Sequence, residues 1–407
     1  MADERTFVVV GGGLAGAKAV EALRDKGFEG RLVLLAGEDH LPYERPPLSK
    51  DYLRTGEGLD DAFVHDAQWY ADHDVDVRTG TVVTALDRDA HEVVTESGER
   101  LHWDRLLLAT GSSPRRLTLP GADLDGVLSL RTIEDSDRLR AAMGPGRRLV
   151  LVGGGWIGLE VAAAAREAGA EVTVLEALDL PLVRVLGPTI AQVFADLHRE
   201  HGVDLRTGVT VEEITGEGGS VTRVRLGDGT TVPADTVVVG IGAVPNVGLA
   251  QEAGLDVDNG VLADAGGRTS DPDVFVAGDV ANVEHPFLGR RVRVEHWANA
   301  LDQPPLVAAA MLDQPTPEPQ LPFFFSDQYD LGLEYHGLGS PDDEVVVRGD
   351  LAGREFLAFW LHDGVVSAGM NVNVWDVGDA VKGLIRSRAR VDRAKLADTD
   401  EPLENLT

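Results

Sequence analysis

Two glycine patterns carry the first chemistry in this sequence. Gly11, Gly13 and Gly16 in TFVVVGGGLAG (6–16), and Gly153, Gly155 and Gly158 in RRLVLVGGGWIG (147–158), both spell G-x-G-x-x-G after a short apolar run. Absent side chains let the backbone approach a pyrophosphate. A helix starting there aims unpaired N–H groups and the positive end of its dipole at the anion. Each motif leads to a second apolar run that ends on an acid, Glu38 in RLVLLAGE (31–38) and Glu176 in EVTVLE (171–176). A carboxylate there can accept hydrogen bonds from both ribose hydroxyls of an adenosine and repels a 2′-phosphate. No Arg or Lys lies in LEALDLP (175–181), so the second site is expected to prefer NADH to NADPH.

These residues need strand–turn–helix units to hold them, and the chain contains that unit twice. VDVRTG (75–80) is answered by VDLRTG (203–208), and the closing runs RLLLATG (105–111) and TVVVGIG (236–242) also correspond. One glycine motif alone is a weak signal in a chain with 47 glycines, but two in matching contexts predict two dinucleotide-binding units. The interval from the motif to the repeated Val-Asp runs 11–75 in the first copy and 153–203 in the second, so the first is longer by 14 residues. LPYERPPLSK (41–50) lies in that interval. Its two prolines restrict the backbone at low entropic cost, which predicts a rigid loop holding Lys50 in place.

Downstream, DPDVFVAGDVANVEHP (271–286) gives a strand ending in Gly278-Asp279, and VEHWANALDQPP (294–305) reads as a helix start. A proline-rich linker at 313–322 precedes strand-like runs at 344–349, 354–361 and 365–370 and a helical stretch near 376–390. The expected fold class is α/β: two Rossmann-like dinucleotide-binding domains and a small C-terminal α+β domain. The expected division is 1–112 with 246–320, then 113–245, then 321–407.

Composition removes whole classes of function. There is no cysteine, hence no disulfide, no dithiol redox centre and no thiolate metal or iron–sulfur site. The 11 histidines, among them His40, His65, His296 and His336, have no ligand-like spacing, so no metal site is expected. A formal charge of −31 argues against nucleic acid. The acidic start MADERTFVVV is no signal peptide, and 149–165 is broken by glycines and contains Glu160, so a soluble cytoplasmic protein without membrane contact is expected.

The motifs GGGLAG, YERPPLSK, ATGSSPR, GGGWIGLE, GIGAVPN, VAGDVA, EHWANA and FFFSDQYDL, in this order, resemble the FAD-dependent ferredoxin reductases of bacterial oxygenase and P450 systems. These are the putidaredoxin reductase and biphenyl-dioxygenase ferredoxin reductase type, with apoptosis-inducing factor a more distant relative. The resemblance covers nearly the whole chain. It implies FAD in the first unit, held by Gly11, Gly13, Leu14, Ala15, Gly16, Glu38, Arg45, Pro46, Lys50, Val82, Ala109, Thr110, Gly111 and Arg131. Gly278, Asp279, Glu295, His296, Trp297 and Ala298 complete that set. Asp279 would bond the ribitol chain and Trp297 would pack on the ring system. NADH is implied in the second unit, at Gly153, Gly155, Trp156, Ile157, Gly158, Glu160, Glu176, Gly240, Ile241 and Gly242. Lys50 would lie near flavin N5, and Glu160 would face the nicotinamide and pair with Lys50. Read without the family, a Glu just after the glycine motif is also what a helix dipole favours in a first turn.

Without cysteine, electrons must leave to a protein carrier or a small molecule. The resemblance points to an acidic [2Fe-2S] ferredoxin as partner, with the reductase a monomer or weak homodimer. Arg290, Arg291 and Arg293 in 289–297, or the six basic residues against one acid in 382–395, are candidate docking patches. Two alternatives stay open: a quinone or monodehydroascorbate reductase, and a flavin-bearing, NADH-responsive interaction protein. One departure concerns Phe323 and Phe325, where relatives commonly carry tryptophan; bulk is kept and the indole N–H is lost.

Overall fold

The computed structural model describes residues 3–406. The chain forms two compact units. The first comprises the chain up to Arg45, Gly58–Ser113 and Ala243–Pro322; the second comprises Pro46–Glu57, Pro114–Gly242 and everything from Phe323 on.

In the first unit the apolar runs build a parallel sheet in the order Val274–Val276, Arg105–Leu108, Thr6–Val10, Arg31–Leu35, Val75–Arg78. In the second unit the corresponding order is Val127–Leu128, Thr236–Val239, Arg148–Val152, Glu171–Leu175, Asp204–Arg206, again all parallel. The duplication in sequence is therefore a duplication of topology. Four strands correspond one to one, and the fifth comes from after the repeat in one copy and from before it in the other. The runs are apolar almost throughout because both faces of a parallel sheet are covered: Phe7, Val8, Val9, Leu149, Val150 and Leu151 are all buried.

Each glycine motif turns its central strand into a helix, Leu14–Asp25 or Trp156–Glu167. Gly11 has φ +123°, and a Cβ there would stand 2.1 Å from the carbonyl oxygen of Ala109; a Cβ on Gly16 would stand 2.0 Å from that of Gly11. The first and third glycines are thus demanded by the protein's own packing.

Helix Trp297–Met311 begins inside the expected helix start and runs on through Pro304 and Pro305. It packs with helix Leu14–Asp25 around Val307, Ala308 and Met311, and that burial outweighs the lost N–H donors. The C-terminal part of the second unit holds five antiparallel strands, in the order Phe323–Gln328, Leu331–Gly337, Val365–Val372, Glu355–His362, Glu344–Asp350. The first two were not expected. Their hairpin turns at Tyr329, which takes a left-handed φ of +56° without the Gly or Asn that signals such a turn. The helix of this region spans Gly378–Ser387.

The stretch after Arg45 is not a bare loop but a 3-10 turn, Pro46–Ser49, and a short helix, Asp51–Thr55. It packs with the second unit. The Ser136 hydroxyl donates to the carbonyl of Leu48 at 2.9 Å, Tyr52 donates to Asp137 at 2.8 Å, and Arg54 pairs with Glu167 at 3.0 Å.

Replacing Gly16 with Ala should lower the urea midpoint by the equivalent of about 2 kcal/mol or more. Gly158→Ala, whose Cβ would keep 2.6 Å from the Gly153 oxygen, should cost less. Equal midpoints for both variants and the unaltered protein would show that the turns yield freely.

Candidate functional site

Both glycine motifs leave a cradle at their middle position. Gly13 and Gly155 are the N-caps of their helices, and neither helix has a side-chain cap or an acid in its first turn. A Cβ on Gly13 would meet nothing within 4 Å, and one on Gly155 only the Gly240 oxygen at 3.7 Å. Open space, unpaired N–H donors and a positive dipole end together fit a dinucleotide pyrophosphate in each unit.

Around the first cradle, a Cβ on Gly278 would come 2.9 Å from that of Ala15, which puts the Gly278-Asp279 turn beside the helix start. The Gly278 N–H donates to Gln303 at 2.7 Å, and the Ser112 hydroxyl donates to Asp279 at 2.8 Å. Thr110 donates to the carbonyl of Asn246, and Gly111 takes a left-handed φ. Val82 is 43% exposed, an apolar side chain left facing solvent. Glu38 accepts from Tyr43 at 2.5 Å and from Arg45 at 2.7 Å, so Arg45, expected at the FAD, is bonded to the acid expected to serve the ribose. Trp297, expected against a ring system, donates its indole N–H to Glu44 at 3.1 Å. His296 caps the helix that Trp297 begins, Ala298 is buried in its first turn, and Glu295 pairs with Arg293. Of the residues expected at the flavin, Pro46, Lys50 and Arg131 belong to the second unit.

At the second cradle, Glu176 is no solvated strand end. Its two carboxylate oxygens accept from the backbone N–H of Leu178 at 2.8 Å and of Gly154 at 2.7 Å, tying the strand end to the glycine turn. Ile157 and Ile241 are 49% and 37% exposed, apolar flanks beside Gly158 and between Gly240 and Gly242. Trp156 turns inward against Phe194 and Phe324.

The second unit also brings Lys50 and Glu160 together. Lys50 Nζ lies 2.6 Å from Glu160 Oε1, Ser326 donates to the same oxygen at 2.6 Å, and Ser49 donates to Oε2 at 2.5 Å. Lys50 Nζ is 5.3 Å from the centroid of the Phe325 ring and 3.9 Å from Asp327. Glu160 is 7% exposed and is the fifth residue of its helix, so it lies beyond the first turn and the dipole does not account for it. It accounts for itself as a buried charge with one cation and two hydroxyl donors. Sequence reasoning missed Ser49 and Ser326. The i, i+2 pair Ser326 and Gln328 on one strand face was the available signal, since alternate strand residues point the same way.

The expected docking patches carry acids of their own. Arg291 pairs with Glu284 and Arg293 with Glu295; in the other segment Lys382 pairs with Asp379 and Arg393 with Glu344. Among the described residues no helix is long and apolar enough to cross a membrane.

Known proteins match this arrangement along the whole chain. Residues 5–303 match the family described as pyridine nucleotide-disulphide oxidoreductase, and residues 323–407 match the reductase C-terminal family. The chain is 44% identical over 404 residues to the 5,5'-dehydrodivanillate O-demethylase ferredoxin reductase subunit of a Sphingobium species, covering 98% of each chain. It is 38% identical over 404 residues to putidaredoxin reductase of Pseudomonas putida, covering 98% of this chain and 96% of the other. A crystal structure of the covalent putidaredoxin reductase–putidaredoxin complex superposes with a TM-score of 0.96, covering 100% of this chain and 98% of that one at 38% identity.

Two stability measurements test the buried groups. Glu160→Gln should destabilise by about 3 kcal/mol, because Lys50 keeps its charge out of water, and adding Lys50→Met should recover part of that loss in a urea double-mutant cycle. Additive losses would mean the pair does not couple. Separately, burial pushes His198 and His336 down to about 4 from 6.5. Unfolding then takes up protons between those pH values, so stability should fall as pH drops from 6.5 towards 4. At pH 5 the loss should be about 2 kcal/mol for each histidine relative to pH 7.5; a flat urea profile over that range would contradict it.

With two dinucleotide cradles on duplicated parallel sheets, and matches that run from end to end, the chain belongs to the pyridine nucleotide-disulphide oxidoreductase family.

Proposed function

We propose that the protein is an NADH-dependent, FAD-containing ferredoxin reductase whose iron–sulfur partner feeds a cytochrome P450 or a ring-hydroxylating oxygenase. One observation carries this reading: a family described by disulphide chemistry is represented here by a sequence without cysteine. Electrons arriving from a pyridine nucleotide therefore have no thiol to reduce and must pass to an external acceptor. The relatives' names, which describe ferredoxin reductases of demethylase and dioxygenase systems, support a ferredoxin as that acceptor.

Bound FAD supplies the step from a two-electron donor to a one-electron acceptor. The chain's own residues bind, orient and shield. Gly11, Gly13 and Gly16 with helix Leu14–Asp25 hold the FAD pyrophosphate in the first unit. Gly153, Gly155 and Gly158 with helix Trp156–Glu167 hold that of NADH in the second. Glu38 and Glu176 face the adenosine riboses, and the carboxylate at 176 disfavours the 2′-phosphate of NADPH. Ile157 and Ile241 cover the nicotinamide half and keep water away. Lys50 provides positive charge where electron density arrives, and Glu160 holds that charge in place. The remaining residues expected at the two cofactors keep their assignments as part of this reading. A cytoplasmic location belongs to this reading.

Purified protein should release FAD on denaturation, and NADH should bleach the flavin anaerobically at concentrations where NADPH does not. Cytochrome c reduction by NADH should depend on an added [2Fe-2S] ferredoxin. Equal turnover with a quinone and no ferredoxin would point to a small-molecule acceptor, and loss of all colour from freshly purified protein would end the reading.

A further inference from the structure

Glu160 is the end of a longer line of buried polar groups. Ser326 donates to Glu160 Oε1, Gln328 Nε2 lies 3.1 Å from Ser326 Oγ, and His198 Nε2 lies 2.9 Å from Gln328 Oε1. Beyond it Tyr329 Oη lies 3.5 Å from His198 Nδ1, and the Tyr329 ring stacks on exposed His201 at 3.7 Å. Ser326, Gln328 and His198 are no more than 1% exposed. They sit in the aromatic core around Phe194, Phe324 and Tyr335, where a misdirected polar group finds no water.

The direction of the line follows from its end. A carboxylate beside a lysine accepts and does not donate, so the Ser326 hydroxyl hydrogen is committed to Glu160. Ser326 Oγ must then accept from the Gln328 NH2, which turns the Gln328 carbonyl towards His198. That carbonyl requires a hydrogen on His198 Nε2, leaving Nδ1 to accept from Tyr329. Every donor points towards Glu160. The amide of Gln328 does not pass a proton on readily, so the line orients groups and is no proton wire.

We propose that His198 is a positioning residue for Glu160: acting through Gln328 and Ser326, it fixes the Ser326 hydroxyl on Oε1 and so holds the carboxylate where Lys50 is bound. The effect on turnover rests on the reading that Lys50 and Glu160 serve hydride transfer; the effect on the ion pair does not. His198 comes from helix Val183–Glu200, whereas Gln328 and Ser326 come from strand Phe323–Gln328, so this helix and strand jointly set the pair. Burial keeps the imidazole neutral down to about pH 4, and the line is intact at working pH.

The test uses the flavin-loaded protein and three readouts. In the unaltered protein, 15N NMR of the His198 ring should show the Nε2–H form from pH 6 to 8; an Nδ1–H form overturns the proposal without any variant. Lys50 is one of five lysines, and its acetylation by acetic anhydride can be read by mass spectrometry against exposed Lys395 in the same digest. His198→Leu and Gln328→Met should each raise Lys50 labelling severalfold. Each should also slow flavin reduction at saturating NADH by about tenfold, the scale of one hydrogen bond to a charged group, with the NADH Kd unchanged. His198→Gln, which restores a donor, should recover both within about twofold. Should His198→Leu fail to fold, Gln328→Met carries the same comparison. Labelling and reduction unchanged in the folded variants overturn the proposal. If labelling rises as expected but Glu160→Gln reduces its flavin at the normal rate, the positioning stands and the catalytic reading of the pair falls.

Discussion

A carboxylate withdrawn from water has to be matched by donors, and Glu160 is matched by three. Ser49 and Lys50 arrive from the short segment after Arg45, Ser326 from the C-terminal antiparallel sheet, and Glu160 itself from the second glycine helix. None of the three contributions is local. The segment Pro46–Glu57 is held by Ser136, Asp137 and Glu167, so its prolines and anchors keep Lys50 from relaxing towards solvent. The pair is a poor source of net stability compared with apolar packing. It does tie the geometry of three elements to one charge.

The two cradles solve one problem in one way, by clearing side chains from the mouth of a helix whose strand is buried on both faces. Their surroundings differ. Glu38 is engaged by Tyr43 and Arg45, side chains of the longer first copy, whereas Glu176 is engaged by the backbone of its own turn. The first acid is held by side chains, and the second is part of the loop it stabilises.

Much of the site could be read in the chain itself. Both glycine turns and their acids follow from spacing, because a strand–turn–helix unit is a local object and its steric demands fall on fixed positions. The hairpin at Tyr329 was not legible, since a left-handed tyrosine carries none of the glycine or asparagine signals of such turns. The start of helix Trp297–Met311 was legible, but its continuation through Pro304 and Pro305 is supported by the first glycine helix, far away in sequence. Glu160 was singled out, but with a first-turn position that the helix does not give it.

The amino-acid order alone determined that this protein has two nucleotide cradles and no thiol, because backbone clearance and the count of a residue type need no partners. Tertiary structure decided what surrounds Glu160. Its contacts span 110, 111 and 166 residues, and no spacing rule reaches across such distances. Only the packing of helix on strand shows which hydroxyls and which lysine satisfy the buried charge.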